Sequence, residues 1–447
     1  MKERATGILA FILTLNILAC TGCSKTEQGQ KNRFDPASDY QYQYYQPDDS
    51  LGGNVTEDEK GSIYYLAGCY VYKYDPQTKR NAPLCNKTNC LHDRETDPEK
   101  MKLCNAYYPF MNDDSLGSVI AYEDGYIYIA GEDDTLCTDL IRIKTDGSER
   151  SEIHKFSRGF IYQIFHRGYY YYTDQFYDED NKTTFAVKAY PLNGRGKEKT
   201  VFTPSRKKQT YEISEYMAYG NHLYFDVSYT NKTGTTSENR YYSMNISTGE
   251  TREIKTSSSN ETIYQLNFFN GKIVYYTQND DDNARYNKKF YDGSGRTFDV
   301  PVYLANLDGS DPKKIPVNMQ AGGRIYSDGK YLVISNDNLM SVADNDVDKK
   351  KLKKAEYHVY DKDYKLVDTY TERFKGYNAF VPEYRLYYEP LGIGDVSYCV
   401  LRNNDTGTAE LYGGNKSQIG KINGVQFKRI KLATIGPSPA VKQYMKK

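Results

Sequence analysis

Seven stretches of this chain share one grammar: a turn bearing Gly or Asn, an apolar-aromatic run, a polar loop, then a second run ending in another turn. The first runs are GSIYYLAG (61–68), DGYIYIAGE (124–132), RGYYYYTDQ (167–175), GNHLYFDVS (220–228), NGKIVYYTQ (270–278), DGKYLVISN (328–336) and EYRLYYEPL (383–391). Their partners include CYVYKYDPQTK, DLIRIKTDGSE, FAVKAYPLNGRG, PVYLANLDGSD and SYCVLRNNDTG. Turn residues ahead of β-branched and aromatic runs are the local chemistry of hairpins. Copies recur about every 40–60 residues, the spacing of one four-stranded blade per copy. The expected fold class is therefore all-β, a β-propeller of seven blades, with six or eight as the neighbouring counts. A sandwich would not repeat this hairpin over most of the chain.

Composition supports strands over disorder. The mean hydropathy is -0.78, yet the chain carries 47 Tyr and no Trp. Tyrosine suits a pleated, half-buried surface, where its ring packs and its hydroxyl still finds a partner. The four tyrosines at 169–172 are expected on an inner blade strand, with alternate rings between neighbouring blades; an exposed sugar-stacking platform is the other reading. Lys+Arg and Asp+Glu both total 59. That balance lacks the basic excess of a nucleic-acid binder, and no nucleic-acid partner is expected.

Residues 1–23, MKERATGILAFILTLNILACTGC, have the layout of an export signal. Lys2 and Arg4 precede an apolar stretch from Ile8 to Leu18, too short to span a bilayer as a helix. Small residues and cysteines follow. The segment resembles a bacterial lipoprotein signal, whose lipobox ends at the cysteine that becomes lipidated. Cys23 follows the small pair Thr21-Gly22 and is preferred; Cys20 is the alternative, with bulky Leu18 at the middle position. Residues 24–60 are polar and suit a flexible tether. Within them DYQYQYYQP (39–47) alternates like a strand and is a candidate for the outer strand that closes the ring. The domain reading is thus signal and lipobox 1–23, tether 24–60, propeller 61–415, and closing strand with C-terminal tail 416–447.

The densest chemistry is the insertion 83–110, PLCNKTNCLHDRETDPEKMKLCNAYYPF. Cys85, Cys90, His92 and Cys104 are a suitable donor set for a closed tetrahedral zinc site. Their spacing matches no common finger, and ligands two apart at Cys90 and His92 strain most loops. Outside the membrane thiols tend to oxidise, so disulfides compete with metal. With Cys23 lipidated and Cys20 removed, Cys69, Cys85, Cys90, Cys104, Cys137 and Cys399 remain, an even set that allows up to three bridges. Metal and disulfide both stay open at this point. Cys69, Cys137 and Cys399 fall in expected strands, where a small buried hydrophobe is the plain reading.

Other constellations do not hold. Asp344, Asp346 and Asp348 open like a calcium loop, but Lys349 and Ala355 stand where Gly and Glu are needed. GGNKSQIGKI has the wrong spacing for a phosphate loop, with Ile422 in place of Ser or Thr. There is no G-x-S-x-G and no H-E-x-x-H. His154, His166, His222 and His358 stand singly. Paired funnel carboxylates, which glycosidases use, are not marked by any short motif.

YYTD (171–174) followed by VKAYPLNGRG, and VYYTQ followed by VYLANLDGSDPKKI, resemble the YWTD-type propellers of lipoprotein receptors, with Tyr replacing Trp. The chain is more similar to the YWTD-like β-propeller domain of bacterial lipoproteins, common in Gram-positive anaerobes, over about residues 57–415. A similar Cys-Asn…Cys-x-His…Cys-Asn-Ala-Tyr insertion accompanies the first blade there, which implies a fixed structural role. The expected protein is a membrane-anchored, extracytoplasmic lipoprotein on the cell membrane, not an enzyme, acting as a binding platform for an envelope protein or glycan. The alternative is a carbohydrate-binding or glycan-processing lipoprotein of a nutrient-capture system.

Overall fold

Tight turns divide the chain into hairpins. In the computed structural model the described residues are 55–108, 119–132, 137–160, 162–177, 183–204, 209–230, 236–256, 261–279, 299–321, 323–327, 330–335, 355–372, 384–387, 395–403, 408–420 and 430–444. They form seven four-stranded sheets. Blade 1 holds β1 (Val55–Glu57), β2 (Ile63–Ala67), β3 (Tyr70–Asp75) and β4 (Arg80–Pro83). Blade 2 holds β5 (Val119–Glu123), β6 (Tyr126–Glu132), β7 (Thr138–Lys144) and β8 (Arg150–Lys155). Blade 3 holds β9 (Gln163–His166), β10 (Tyr169–Tyr177), β11 (Thr183–Pro191) and β12 (Lys199–Phe202). Blade 4 holds β13 (Gln209–Tyr219), β14 (His222–Thr230), β15 (Thr236–Asn245) and β16 (Thr251–Thr256). Blade 5 holds β17 (Glu261–Phe269), β18 (Lys272–Asn279), β19 (Val302–Ala305) and β20 (Lys313–Lys314). Blade 6 holds β21 (Arg324–Ser327), β22 (Leu332–Ser335), β23 (Ala355–Tyr360) and β24 (Leu366–Glu372). Blade 7 holds β25 (Tyr384–Tyr387), β26 (Val396–Asn403), β27 (Thr408–Asn415) and β28 (Ile430–Ile435).

Within every sheet the strands pair antiparallel in chain order. First strands meet around the axis: β1 lies against β5, β5 against β9, β9 against β13, β13 against β17, and β17 against β21. This is a seven-bladed β-propeller, as the repeats implied. Among the described residues, no helix is long and apolar enough to cross a membrane.

The hairpins carry the expected turn chemistry. Asp124-Gly125, Arg167-Gly168 and Asn270-Gly271 have positive φ at both positions, 47° and 79°, 43° and 80°, and 53° and 67°. Turns of that hand match the right-handed twist of the strands they join. The runs read from sequence are second strands, except in blade 7, where EYRLYY contains the first strand, β25. The first strand of blade 1, β1, lies within the stretch expected as tether, and β28 lies within the stretch expected as closing strand. The Tyr-Gln run 39–47 lies outside the described residues, as do residues 1–54 altogether.

Second strands are aromatic because blades cover them on both faces. Tyr170, Tyr171 and Tyr172 are consecutive and all buried. Tyr172 packs on Phe156 at 5.0 Å and Phe160 at 4.1 Å between ring centroids, both from the end of blade 2. Thr173 points to the opposite face, and its hydroxyl donates to the Ile213 carbonyl of blade 4 at 2.9 Å. The sugar-platform reading of 169–172 therefore gives way to core packing, with three adjacent rings buried rather than alternate ones. Hydroxyls settle on acceptors within their own blade: Tyr64 on Asp58 at 2.8 Å, Tyr65 on Asn81 at 2.8 Å, Tyr170 on Gln163 and Tyr172 on Glu198. Two of the lone histidines bridge neighbouring blades: His166 Nε2 pairs with the Gly220 carbonyl at 2.8 Å, and His154 stacks on Tyr190 at 4.5 Å.

Candidate metal centre

The insertion leaves the outer edge of blade 1 directly after β4. Leu84 N–H donates to the Val71 carbonyl at 2.8 Å, fixing the chain at Cys85. A single 3-10 turn, His92–Arg94, follows Cys90. The short helix α1 (Pro98–Met101) starts at Asp97, whose side chain accepts Glu99 N–H at 3.0 Å, with Pro98 preset for the first helical position. Its Met101 is buried and anchors the following turn, in which Cys104 N–H reaches the Met101 carbonyl at 3.0 Å. The chain then returns along β3: Val71 N–H donates to Ala106 at 2.8 Å and Tyr108 N–H to Cys69 at 2.7 Å. An excursion of some twenty residues is thus closed at both ends by backbone bonds to one strand.

This fold-back brings the four sequence-predicted residues together. Donor atoms of Cys85, Cys90, His92 and Cys104 all lie within 4.8 Å of one another. Cys104 Sγ is 3.7 Å from His92 Nδ1. For comparison, zinc–sulfur bonds of about 2.3 Å arranged tetrahedrally separate the ligands by about 3.8 Å. The set can hold a metal ion. Cys85, Cys90 and Cys104 are thiols here, unbridged. The tight Cys90-x-His92 spacing is accommodated by backbone: His92 adopts φ 53°, and its N–H points to Cys90 Sγ at 3.4 Å. A left-handed residue other than Gly costs roughly 1–2 kcal/mol, the kind of strain kept where surroundings determine the conformation.

The electrostatics suit a cation. Burial, with Cys85 next to it, pushes the Cys104 thiol far above the usual cysteine range; a divalent cation pulls thiols the opposite way. Burial also lowers the His92 imidazole, partly offset by Asp93, which favours the neutral form that can ligate. The Tyr70 hydroxyl is buried without a hydrogen-bond partner and lies close enough to Cys104 to feel its charge. A metal-bound thiolate is an acceptor such a hydroxyl can use.

Residues outside the motif hold the loop, and sequence reading missed them. The Tyr72 hydroxyl donates to Asp93 at 2.8 Å and pins the His92–Arg94 turn to β3. Both Cys-Asn pairs grip the same atom: Asn86 N–H at 3.2 Å and the Asn105 side-chain amide at 2.8 Å donate to the carbonyl of Gly147. Gly147 is the tip of the β7–β8 turn TDGS in blade 2. The signal was present, since Cys-Asn occurs at both ends of the insertion, but its acceptor lies some forty residues on. Cys69 is not in a strand as expected; it occupies the β2–β3 turn with φ 67°. Cys137 immediately precedes β7, and the Cys399 side chain lies outside what the structure describes. Residues 344–348 lie outside the described residues, whereas GGN (413–415) ends strand β27, with no phosphate loop.

No family model matches this chain, and no curated protein matches it. Solved structures do. A prolyl endopeptidase is 13% identical with a TM-score of 0.51, over 94% of this chain and 55% of that one. An oligogalacturonate lyase in complex with manganese is 10% identical with a TM-score of 0.43, over 90% and 89%. A chain of a nidogen/laminin complex is 10% identical with a TM-score of 0.29, over 58% and 78%. The chain thus spans little more than half the length of the prolyl endopeptidase. At these identities the likeness concerns the fold alone. It nevertheless corrects one expectation. The prolyl endopeptidase shares this fold, so the expectation that the chain is not an enzyme does not stand. The physical reason is that one fold hosts catalysts and binders alike, and a missing short motif does not separate them.

Proposed function

We propose that this chain is a lipid-anchored, extracytoplasmic propeller that presents its loops to a partner in the cell envelope, and that the Cys85, Cys90, His92 and Cys104 cluster is a structural zinc site. The observation that carries the first part is the layout of an export signal ending at Cys23, a polar stretch, and a seven-bladed ring whose first strand is β1. The polar composition of residues 24–54 suits a tether, and a random coil of that length has a root-mean-square reach of about 30 Å. A tether of that reach would keep the ring beside the bilayer and free to rotate. Loops on a rigid β scaffold are where binding residues concentrate. The donor set and its mutual distances support zinc over a harder cation, which prefers oxygen ligands.

The test is metabolic labelling with an alkyne fatty acid in cells producing the full chain, followed by membrane fractionation and cross-linking. The expected result is label and membrane retention in the parent and in Cys20→Ser, loss of both in Cys23→Ser, and cross-links to one envelope protein only when the ring is anchored. Label that survives both cysteine substitutions sinks the anchor. Cross-links to glycan alone move the partner to the nutrient-capture reading.

A further inference from the structure

We propose that metal bound by Cys85, Cys90, His92 and Cys104 is the lock that closes the propeller ring, coupling the C-terminal segment to blade 1. This rests on the zinc reading above and extends it from one loop to the whole ring. Propellers have one junction that differs from all others: the place where the last blade meets the first, with no chain running between them. Sharing one sheet between the two chain ends would bind that junction by backbone bonds. Here every described sheet is built from consecutive strands, from β1–β4 through β25–β28, so none of them joins the two ends. Closure among the described residues falls to side chains and to the segment after β28.

That segment lands on the metal loop. The Ser438 hydroxyl donates to the Gly68 carbonyl in the β2–β3 turn at 2.7 Å, and the bond is buried. Helix α2 (Pro439–Tyr444) then lies against the His92–Arg94 turn. Ala440 is buried in one continuous core with Leu84, Met101, Cys104 and Ala106 of the insertion and with Val400, Leu411 and Ile435 of blade 7. Beneath it β1 meets β26. The platform that receives α2 therefore consists of the turn containing one ligand and the core containing another. The same loop is gripped from the other side by Gly147 of blade 2. The insertion has too little secondary structure to hold this shape alone, with one 3-10 turn and one four-residue helix. Four bonds to one cation supply the missing rigidity. Loss of the cation leaves the turn held to β3 by the Tyr72–Asp93 bond and loosens, with it, the landing site for the C-terminal segment.

The experiment uses the purified full chain, its metal content measured, with hydrogen exchange followed before and after chelation and again after zinc is restored. The expected result is one zinc per chain and, on its removal, at least tenfold faster exchange at residues 430–444 and 63–71. Exchange in β10 and β14 of blades 3 and 4 stays unchanged, and added zinc restores the seam. Cys90→Ser should reproduce the chelated pattern; because that variant can fail to fold, the chelation arm on the parent chain decides. A chain that binds one zinc but whose seam does not respond, or whose blades all respond equally, overturns the lock while leaving the zinc site standing. A chain that binds no zinc overturns both.

Discussion

Two glycines with the same backbone conformation separate local strain from strain delivered to the metal loop. Gly147 and Gly249 both adopt φ 74° at the tips of outer hairpins. A Cβ at Gly249 would meet nothing within 4 Å, whereas one at Gly147 would come to 2.9 Å from Cys85 N and Cα and 3.0 Å from Asn86 N. Gly249→Ala carries only the left-handed penalty, about 1–2 kcal/mol. Gly147→Ala carries the same penalty plus about 1–3 kcal/mol for overpacking, because the opposing atoms are backbone and cannot swing away. The expected losses are then about 1–2 and about 2–5 kcal/mol in urea unfolding. The second substitution also displaces Cys85, so zinc affinity, measured by chelator competition, should fall about tenfold for each 1.4 kcal/mol of that push. It should not change in Gly249→Ala. Equal destabilisation of the two variants with unaltered zinc affinity would refute the contact between the blade 2 turn and the metal loop.

Other consequences follow from single side chains. Tyr170→Ala, at a fully buried ring, should cost about 3–5 kcal/mol in urea unfolding, while Tyr169→Ala, only partly buried, should cost clearly less. Tyr72→Phe removes the bond to Asp93; a loss of about 1–3 kcal/mol is expected for a hydrogen bond to a carboxylate, with faster amide exchange at residues 92–94. Burial opposes ionisation of Glu198, but Lys188 at 2.6 Å and the Tyr172 hydroxyl outweigh it and hold the carboxyl below its usual range. A value lower in the folded chain than in the unfolded one stabilises above about pH 4.5 and is lost as pH falls through the folded value. Thermal melts from pH 7 to pH 3 should therefore show a smaller acid loss in Glu198→Gln than in the parent chain.

Blade number was readable because β6, β10, β14, β18 and β22 are covered on both faces, which demands unbroken apolar-aromatic runs, and because two-residue turns need Gly or Asn. First and fourth strands were not readable. β1 spans three residues and β20 two, too short to show a period of two. In blade 7 the turn signal before β25 matched the pattern of a second strand, so the reading slipped by one strand there. The four metal-loop donors were readable as a cluster from their density alone. Their mutual approach was not, because it depends on a left-handed His92 and on bonds to β3 that no spacing rule contains. The partners of Asn86 and Asn105 were hidden for a different reason: they meet a turn in the next blade, and only the ring brings that turn back.

The most direct test of this account is zinc K-edge X-ray absorption on the full chain purified without chelator. One zinc per chain is predicted, with a first shell of three sulfurs at about 2.3 Å and one nitrogen at about 2.0 Å. A chain carrying no zinc, or a shell of oxygen and nitrogen with no sulfur, would contradict it.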